Sequence, residues 1–481
     1  MTAQAASKSV TTPRVRVIAP APLGETAIAA LRARGIAGAT AHASHGDGIS
    51  LGDGEVLAWA LDAPPSPAAA AELAVTCARA AALGRPVCML APPPRGNGRA
   101  AVEHAAALAY LRAHGAAIGH DVDAWLEATV MLVRFGMPAG PHVAMIAPPG
   151  SWLAAQAHVL VVEADAIGAR AIQLGADLPT DIVLYDPALD ESTGASAGSS
   201  ASSRALRVPV APRGELTDGD AVLLGARSAL GACDLLGHAA ERIAAGLGPA
   251  PAGGGGELSD GKLLERIARL ARGGRVGDHE TKALLAGYGV PITRQAVATT
   301  PSNAVQKARR AGYPVELKPW GHDLPSEPDG CPVIRNVTSD ALVRRAFTEV
   351  LAAAGRAPNQ LESAVIVRET PPLGRDVAVQ LVRLPALGWT VVLDVPGAPH
   401  VAAAPAPLRP IDAAALAAVL VASRAADAEP DRAGLANVLR RASHLVVDLD
   451  ARLSRLELPR VVVGGRGART VVADAWSMLA D

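Results

Sequence analysis

Short apolar runs and longer Ala-rich stretches take turns along the first half of the chain. "RVRVIAP" (14–20) precedes "GETAIAALRARG" (24–35), and "RPVCMLAPPP" (85–94) precedes "GRAAVEHAAALAYLRAHG" (98–115). "PHVAMIAPPG" (141–150) precedes "SWLAAQAHVLVVEADAIGA" (151–169), and "DIVLYDP" (181–187) and "DAVLLGA" (220–226) are further apolar runs. Runs of four to six apolar residues that end in Pro or Gly predict buried strands. The Ala-rich stretches between them predict helices, so the pattern reads as parallel βα layers. Ligands in such sheets sit at the strand ends, where these prolines and glycines lie.

The pattern changes after residue 257. "LSDGKLLERIARLAR" (258–272) spaces Leu and Ile three or four apart behind a Ser/Asp cap and predicts a helix. "DHETKALLAGYGVPI" (278–292) predicts a second, capped by Asp278 and stopped by Gly289. "PVELKPW", "SAVIVRE", "RDVAVQLVRL" and "WTVVLDVPG" read as strands, partly alternating in the first and third, which suggests an α+β domain. "STGASAGSSASS" (192–203) has nothing to bury and reads as a loop, and "GPAPAGGGGE" (248–257) reads as an interdomain linker. The expected fold is α/β. A tail (1–13) precedes two flavodoxin-like units at 14–138 and 139–247, then the linker and an α+β domain at 258–481.

Composition narrows the functions. The 481 residues are half hydrophobic but only 2% aromatic, and 45 basic residues face 46 acidic ones. Without a basic face or stacking aromatics, a nucleic-acid partner is not expected. Cys77, Cys88, Cys233 and Cys331 form no C-x-x-C pair and read as buried, reduced thiols of a cytoplasmic protein. No apolar run reaches the ~18 residues of a membrane helix, and the N-terminus lacks the order of a secretion signal.

The order of the later blocks is similar to that of a known family. "ETKALLAGYGVPI" followed by "AVQKARRAGYPVELK" resembles the opening of the ATP-grasp domain of NDP-forming acyl-CoA synthetases. That family includes the ADP-forming acetate–CoA ligases and is related to succinyl-CoA synthetase. "AVIVRETPPLGRDVAVQLVRLPALGWTVVL" resembles its next block and "ADAW" (473–476) its last strand. Upstream, "SHGDGISLGDGEVLAWALDAP" and "GRPVCMLAPPPRGNGRAAVEHAAALA" resemble its succinyl-CoA-synthetase-like layers and active-site histidine helix. The resemblance runs from about residue 14 onward and lacks the family's CoA-binding domain.

The resemblance assigns roles residue by residue. His104 matches the histidine that carries a phosphoryl group, a role suited to a neutral imidazole near a helix N-terminus. The Ser before it and the Thr-Gly after it are Glu103 and Ala105–Ala106 here, and a carboxylate beside it repels phosphate. Lys318, one of only five lysines, matches the nucleotide-phosphate lysine. Val367 and Glu369 match the adenine hinge, and Asp376 replaces a Glu. Ser326 and Glu327 stand for a His-Lys pair, and Cys331 and Pro332 for paired glycines. Asp474 matches a Mg²⁺ ligand, but Leu458 takes the place of its Asn partner and Trp476 that of an Arg. The strand-end prolines in "IAPAPLGE" and "IAPPGSW" remove N–H donors, although turn chemistry explains them too.

The resemblance implies two alternatives. One is an active ligase interconverting acyl-CoA, ADP and phosphate with carboxylate, CoA and ATP through a phosphohistidine, using Mg²⁺. The other is a catalytically degenerate regulatory or structural subunit that binds nucleotide or acyl-CoA without turnover. Either implies a homo- or hetero-oligomer, with CoA bound by a partner subunit or at a site not recognised here.

Overall fold

The structure is a computed structural model. It describes residues 14–36, 40–42, 55–96, 98–167, 172–174, 180–187, 205–213, 222–253, 265, 267, 269, 274–357, 363–420, 429–465 and 468–480. The chain divides into two compact units. One holds residues 1–94 and 110–248, the other residues 95–109 and 249–481.

The first unit contains two parallel sheets. β1 (Arg14–Ile18), α1 (Ala21–Ala33), β2 (Thr40–His42), β3 (Glu55–Ala60), α2 (Pro67–Ala82) and β4 (Cys88–Leu90) come first. α3 (Arg99–Ala113), which lies mostly in the second unit, β5 (Ala117–Gly119) and α4 (Val122–Arg134) follow, and the strand order of the sheet is β2-β1-β3-β4-β5. The second sheet uses β6 (Val143–Ile146), α5 (Trp152–Ile167), β7 (Ile172–Leu174), β8 (Ile182–Tyr185), β9 (Leu206–Ala211), β10 (Leu223–Leu224) and α6 (Ala226–Ala245). Its order is β10-β9-β8-β6-β7. Counted from its own first strand, each sheet runs 2-1-3-4-5, the doubly wound order of flavodoxin-like sheets.

The five apolar runs of the sequence correspond to β1, β4, β6, β8 and β10. β3 was legible only as part of a family segment; β2, β5 and β7, three residues each, and the six-residue β9 were not revealed by the runs. The 192–203 stretch, the 1–13 tail and most of 258–272 lie outside the described residues. Of the last, Glu265, Ile267 and Arg269 are helical.

Helix α4 joins the two sheets. Buried Trp125 donates from Nε1 to the Cys88 carbonyl of the first sheet at 2.9 Å. Glu127 takes a buried two-pronged contact from Arg34 at 2.8 and 2.9 Å and accepts the Leu224 N–H of the second at 3.0 Å. Val15, Val56, Trp125, Leu184 and Leu236 lie in one continuous core. Asp121 caps α4 by accepting the Ala124 N–H at 2.7 Å. Asp121→Ala should lower unfolding free energy in urea by about 1 kcal/mol, with Asp121→Ser nearly neutral.

The second unit carries two antiparallel sheets. β12 (Gln295–Ala298), β13 (Val315–Pro319), β14 (Ile334–Val337) and β15 (Val365–Glu369) form the smaller, in the order β12-β15-β13-β14. Helices α8 (Pro301–Ala311) and α9 (Asp340–Ala353) cover one face. β11 (Arg275–Val276), β16 (Gly374–Leu384), β17 (Gly388–Asp394), β18 (Ala402–Pro405), β19 (Leu453–Gly464) and β20 (Val471–Leu479) form the larger, in the order β11-β20-β19-β16-β17-β18. α7 (Asp278–Gly287), α10 (Pro410–Ala418) and α11 (Arg432–Asp448) complete the unit.

Asp278 does not cap α7 as the sequence suggested. Gly277 holds the N-cap position and Asp278 is the first helical residue. Its carboxylate accepts the Ala475 N–H of β20 instead, at 2.9 Å. Gly289 follows the last turn at φ +69° as expected. All four cysteines are buried and unbridged, and burial pushes the Cys77 and Cys88 thiols up to about 12. Among the described residues no helix is long and apolar enough to cross a membrane.

Candidate functional site

Strand alternation builds the site. In β13 the residues Val315 and Leu317 join the apolar core under α8 and α9. Successive side chains of a strand point to opposite faces, so Glu316 and Lys318 share the other face. β15 repeats the rule: Val365 and Val367 enter the core, while Arg368 stands in register with Glu316. That second face is buried too, and it is lined with charge.

Lys318 is at the centre. Its Nζ lies 2.7 Å from Asp474 Oδ1, 3.2 Å from Asp278 Oδ2 and 3.6 Å from Glu327 Oε1. Lys282, one turn along α7 from Asp278, donates to Thr293 Oγ1 at 3.1 Å and the Ala473 carbonyl at 2.6 Å. Arg368 donates from Nε to Glu316 at 2.9 Å and reaches Glu327 at 2.5 Å. Glu327 in turn meets Arg335 at 3.0 Å. Lys282 and Arg368 are fully buried, and Lys318 and Asp474 nearly so.

Protonation follows from this pairing. Burial opposes charge on Lys318, but Asp278, Asp474 and Glu327 outweigh it and hold its pKa above the ordinary lysine value. Burial also opposes charge on Glu327, but Arg368 and Lys318 pull it down to about 2. Lys282 is lowered to about 8, chiefly by burial. Asp474 is raised, first by burial and then by the neighbouring carboxylates, which Lys318 does not fully offset.

The residues singled out in the sequence fall into three places. Lys318 and Asp474 come together. Glu369, at the end of β15, accepts the Arg294 N–H at 2.9 Å and pairs with Arg469 at 2.9 Å, while Val367 is buried in the sheet. Asp376 pairs with Arg460 at 3.0 Å and lines a cleft of about 490 Å³ with Gly96, Asp394, Gly397, His400 and Pro459. His104 lies on α3, whose Ala105 packs with Val392 and Val401, and Glu103 is drawn to Arg99 at 2.9 Å.

Sequence reasoning missed Asp278, Lys282, Glu316 and Arg368 as members of the cluster. The available signal was the alternation of "VELK", with the scarcity of lysine in the chain. Leu458 packs in the core, and a bulge at Pro459 puts Arg460 in register with Asp474.

These contacts test whether Mg²⁺ and a nucleotide phosphate fit. Asp474 is engaged by Lys318 and by the Glu327 N–H at 2.8 Å, with a second cation in register opposite. A carboxylate already held by a lysine and a backbone N–H makes a poor site for a divalent metal. Among the described residues no group of three His, Cys, Asp or Glu side chains is placed to hold one. The space left beside Lys318 is about 20 Å³, room for one water. Trp476 borders it, with Arg275 over its ring at 4.3 Å. The residues present therefore do not fit Mg²⁺ or a phosphate in this arrangement.

Residues 268–477 match the ATP-grasp domain family. Residues 268–477 are an ATP-grasp domain. Relatives of this chain are ligase subunits. It is 24% identical over 229 residues to the beta subunit of ADP-forming acetate–CoA ligase II of Pyrococcus furiosus, covering 45% of this chain and 97% of that one. It is 31% identical over 119 residues to the beta subunit of ADP-forming acetate–CoA ligase I of the same organism, 24% of this chain and 51% of that one. Among solved structures, the dinucleotide-forming acetyl-coenzyme A synthetase 1 of Ca. Korarchaeum cryptofilum, in complex with coenzyme A, Ca-AMPCP and HgCl+, matches at 26% identity. It covers 46% of this chain and 99% of that chain, with a TM-score of 0.41. These matches take in under half of this chain, less than the motif order suggested, and the chain spans nearly all of the first relative and about half of the second.

Proposed function

We propose that this chain is a non-turnover subunit of an assembly of the ADP-forming acyl-CoA ligase type, with its ATP-grasp phosphate site closed by its own carboxylates. The observation that carries the reading is the neutralisation of Lys318 by Asp278, Glu327 and Asp474. A phosphate-binding lysine acts by its free positive charge, and here that charge is committed inside the protein. Arg460 opposite Asp474 adds to the case against a phosphate-bridging metal.

In this reading residues 14–138 and 139–247 are two flavodoxin-like domains, supported by the 2-1-3-4-5 order of both sheets. Residues 248–257 link them to the ATP-grasp domain at 258–481. The chain works in the cytoplasm, where its four buried thiols stay reduced. A partner subunit supplies the CoA-binding domain, and the small molecules of the assembly are nucleotide, CoA and a carboxylate or acyl-CoA.

The active alternative routes a phosphoryl group through His104, with Val367 and Glu369 against the adenine, Lys318 and Asp376 at the phosphates, and Asp474 on Mg²⁺. Incubation with γ-labelled ATP and Mg²⁺, beside His104→Ala, separates the two. The expected result is no acid-labile, base-stable label on the wild type. A label that disappears in His104→Ala would establish the ligase reaction and overturn the non-turnover reading.

A further inference from the structure

Glu327 is surrounded in a way that a structural ion pair does not need. One carboxylate is faced by four cations, each from a different strand. Oε1 lies 3.6 Å from Lys318 of β13 and 2.5 Å from Arg368 of β15. Oε2 lies 3.0 Å from Arg335 of β14 and 3.6 Å from Arg460 of β19. The Glu327 side chain is only 4% exposed. Four cations converge on two oxygens, of which Arg335 alone donates a hydrogen bond at 3.0 Å, an excess of positive charge that suits an oxyanion with more oxygens than a carboxylate has.

We propose that Glu327 is a built-in anion occupying a phosphate-type oxyanion site formed by Lys318, Arg335, Arg368 and Arg460. The proposal rests on the closed-site reading above and names the residue that closes it. Three features support it.

Charge is the first. The other carboxylates of the cluster already hold partners of their own: Glu316 on Arg368, Asp376 on Arg460, and Asp278 and Asp474 on Lys318. With Glu327 the five cations (Lys282 included) meet five carboxylates, and without it a positive charge remains at the point where the four converge.

Attachment is the second. Glu327 sits in a turn at 327–330, closed by the Gly330 N–H on the Glu327 carbonyl at 3.2 Å and the Cys331 N–H on Ser326 at 3.0 Å. Gly330 takes φ +102°, which favours glycine. The turn belongs to the irregular connection between β13 and β14, so the carboxylate can leave without breaking a strand ladder. Access is the third: Arg368 and Lys318 form a buried floor, while Arg335 is 52% exposed and opens the site to solvent.

The test is calorimetric titration of the full chain with inorganic phosphate at fixed ionic strength, for the wild type and Glu327→Ala. The wild type should show no saturable binding, and Glu327→Ala should bind at least tenfold more tightly than the wild-type limit. Adding Arg335→Ala, a half-exposed position, should remove the gain. Should Glu327→Ala fail to fold, Glu327→Gln takes its place, read by thermal unfolding in phosphate against chloride at equal ionic strength. Phosphate should raise the midpoint of that variant more than that of the wild type. A folded variant whose phosphate affinity and midpoint response equal those of the wild type would overturn the proposal. So would ATP binding to Glu327→Ala without phosphate binding, because recognition would then lie outside the four cations. The labelling experiment reads His104 in the wild type and this one reads Glu327 in the variant, so failure of the closed-site reading and failure of this proposal are told apart.

Discussion

Replacing Lys318 with Met is expected to destabilise the protein by about 3–5 kcal/mol, the cost of leaving buried charges without their counter-ion. The reason is geometric. Among the described residues Lys318 is the one cation within 4 Å of Asp278, Glu327 and Asp474 together, all three nearly buried. Its removal leaves the pair of Asp474 oxygens with one backbone N–H from Glu327. A lysine kept for nucleotide would behave differently, since its loss would cost affinity and spare the fold. Urea unfolding measures the effect directly. Adding Glu327→Gln to Lys318→Met should recover part of the loss, because it removes one of the unpaired carboxylates. A Lys318→Met protein within 1 kcal/mol (~a fivefold change in the folding equilibrium) of the wild type would show that this lysine is not the counter-ion of the cluster.

The second expected result is acid sensitivity carried by Glu327. Its folded pKa is about 2 against an ordinary 4.5. Below pH 4.5 the unfolded chain takes up the proton while the folded protein does not, so the unfolded state binds more protons and stability rises with pH in that window. The contribution is complete above pH 4.5 and is lost as pH falls toward 2. A shift of this size corresponds to about 3 kcal/mol. The free-energy difference between wild type and Glu327→Gln should shrink by that order between pH 5 and pH 2, as read by urea midpoints. Asp474 shifts the other way: its raised pKa gives a contribution present below its unfolded pKa and lost as pH rises through the folded one. Comparison of the two proteins at each pH separates Glu327 from this opposing trend. A constant difference from pH 5 to pH 2 would show that Glu327 is not held ionised by Arg368 and Lys318.

Both results concern a lysine that the sequence marks out and a carboxylate it marks only as a substitution. The partial alternation of "PVELKPW" marks the strand that carries Lys318, and "SAVIVRE" reads as a strand without telling its two faces apart, because Ile366 is as apolar as Val365 and Val367. The parallel layers of the first unit were equally legible, because βα repeats write their period into the apolar runs. β2, β5 and β7, each three residues long, were not: a run that short is not distinguishable from a loop.

What the face bearing Lys318 meets was decided elsewhere. Asp278, Asp474 and Lys318 are separated by up to 196 residues of chain, and no local pattern shows that the first turn of α7, the end of β13 and the middle of β20 converge. The Pro459 bulge is a second case. It shifts the β19 register so that Leu458 turns to the core and Arg460 stands opposite Asp474, a pairing that no local pattern shows. The sequence alone determined the longer apolar strands and the Ala-rich helices, the ATP-grasp resemblance and the identity of Lys318, because these depend on neighbours within a few residues. Whether Lys318 is free to hold a phosphate depends on carboxylates brought within 4 Å by folding, and Coulomb interactions between buried groups follow distance in space rather than distance along the chain.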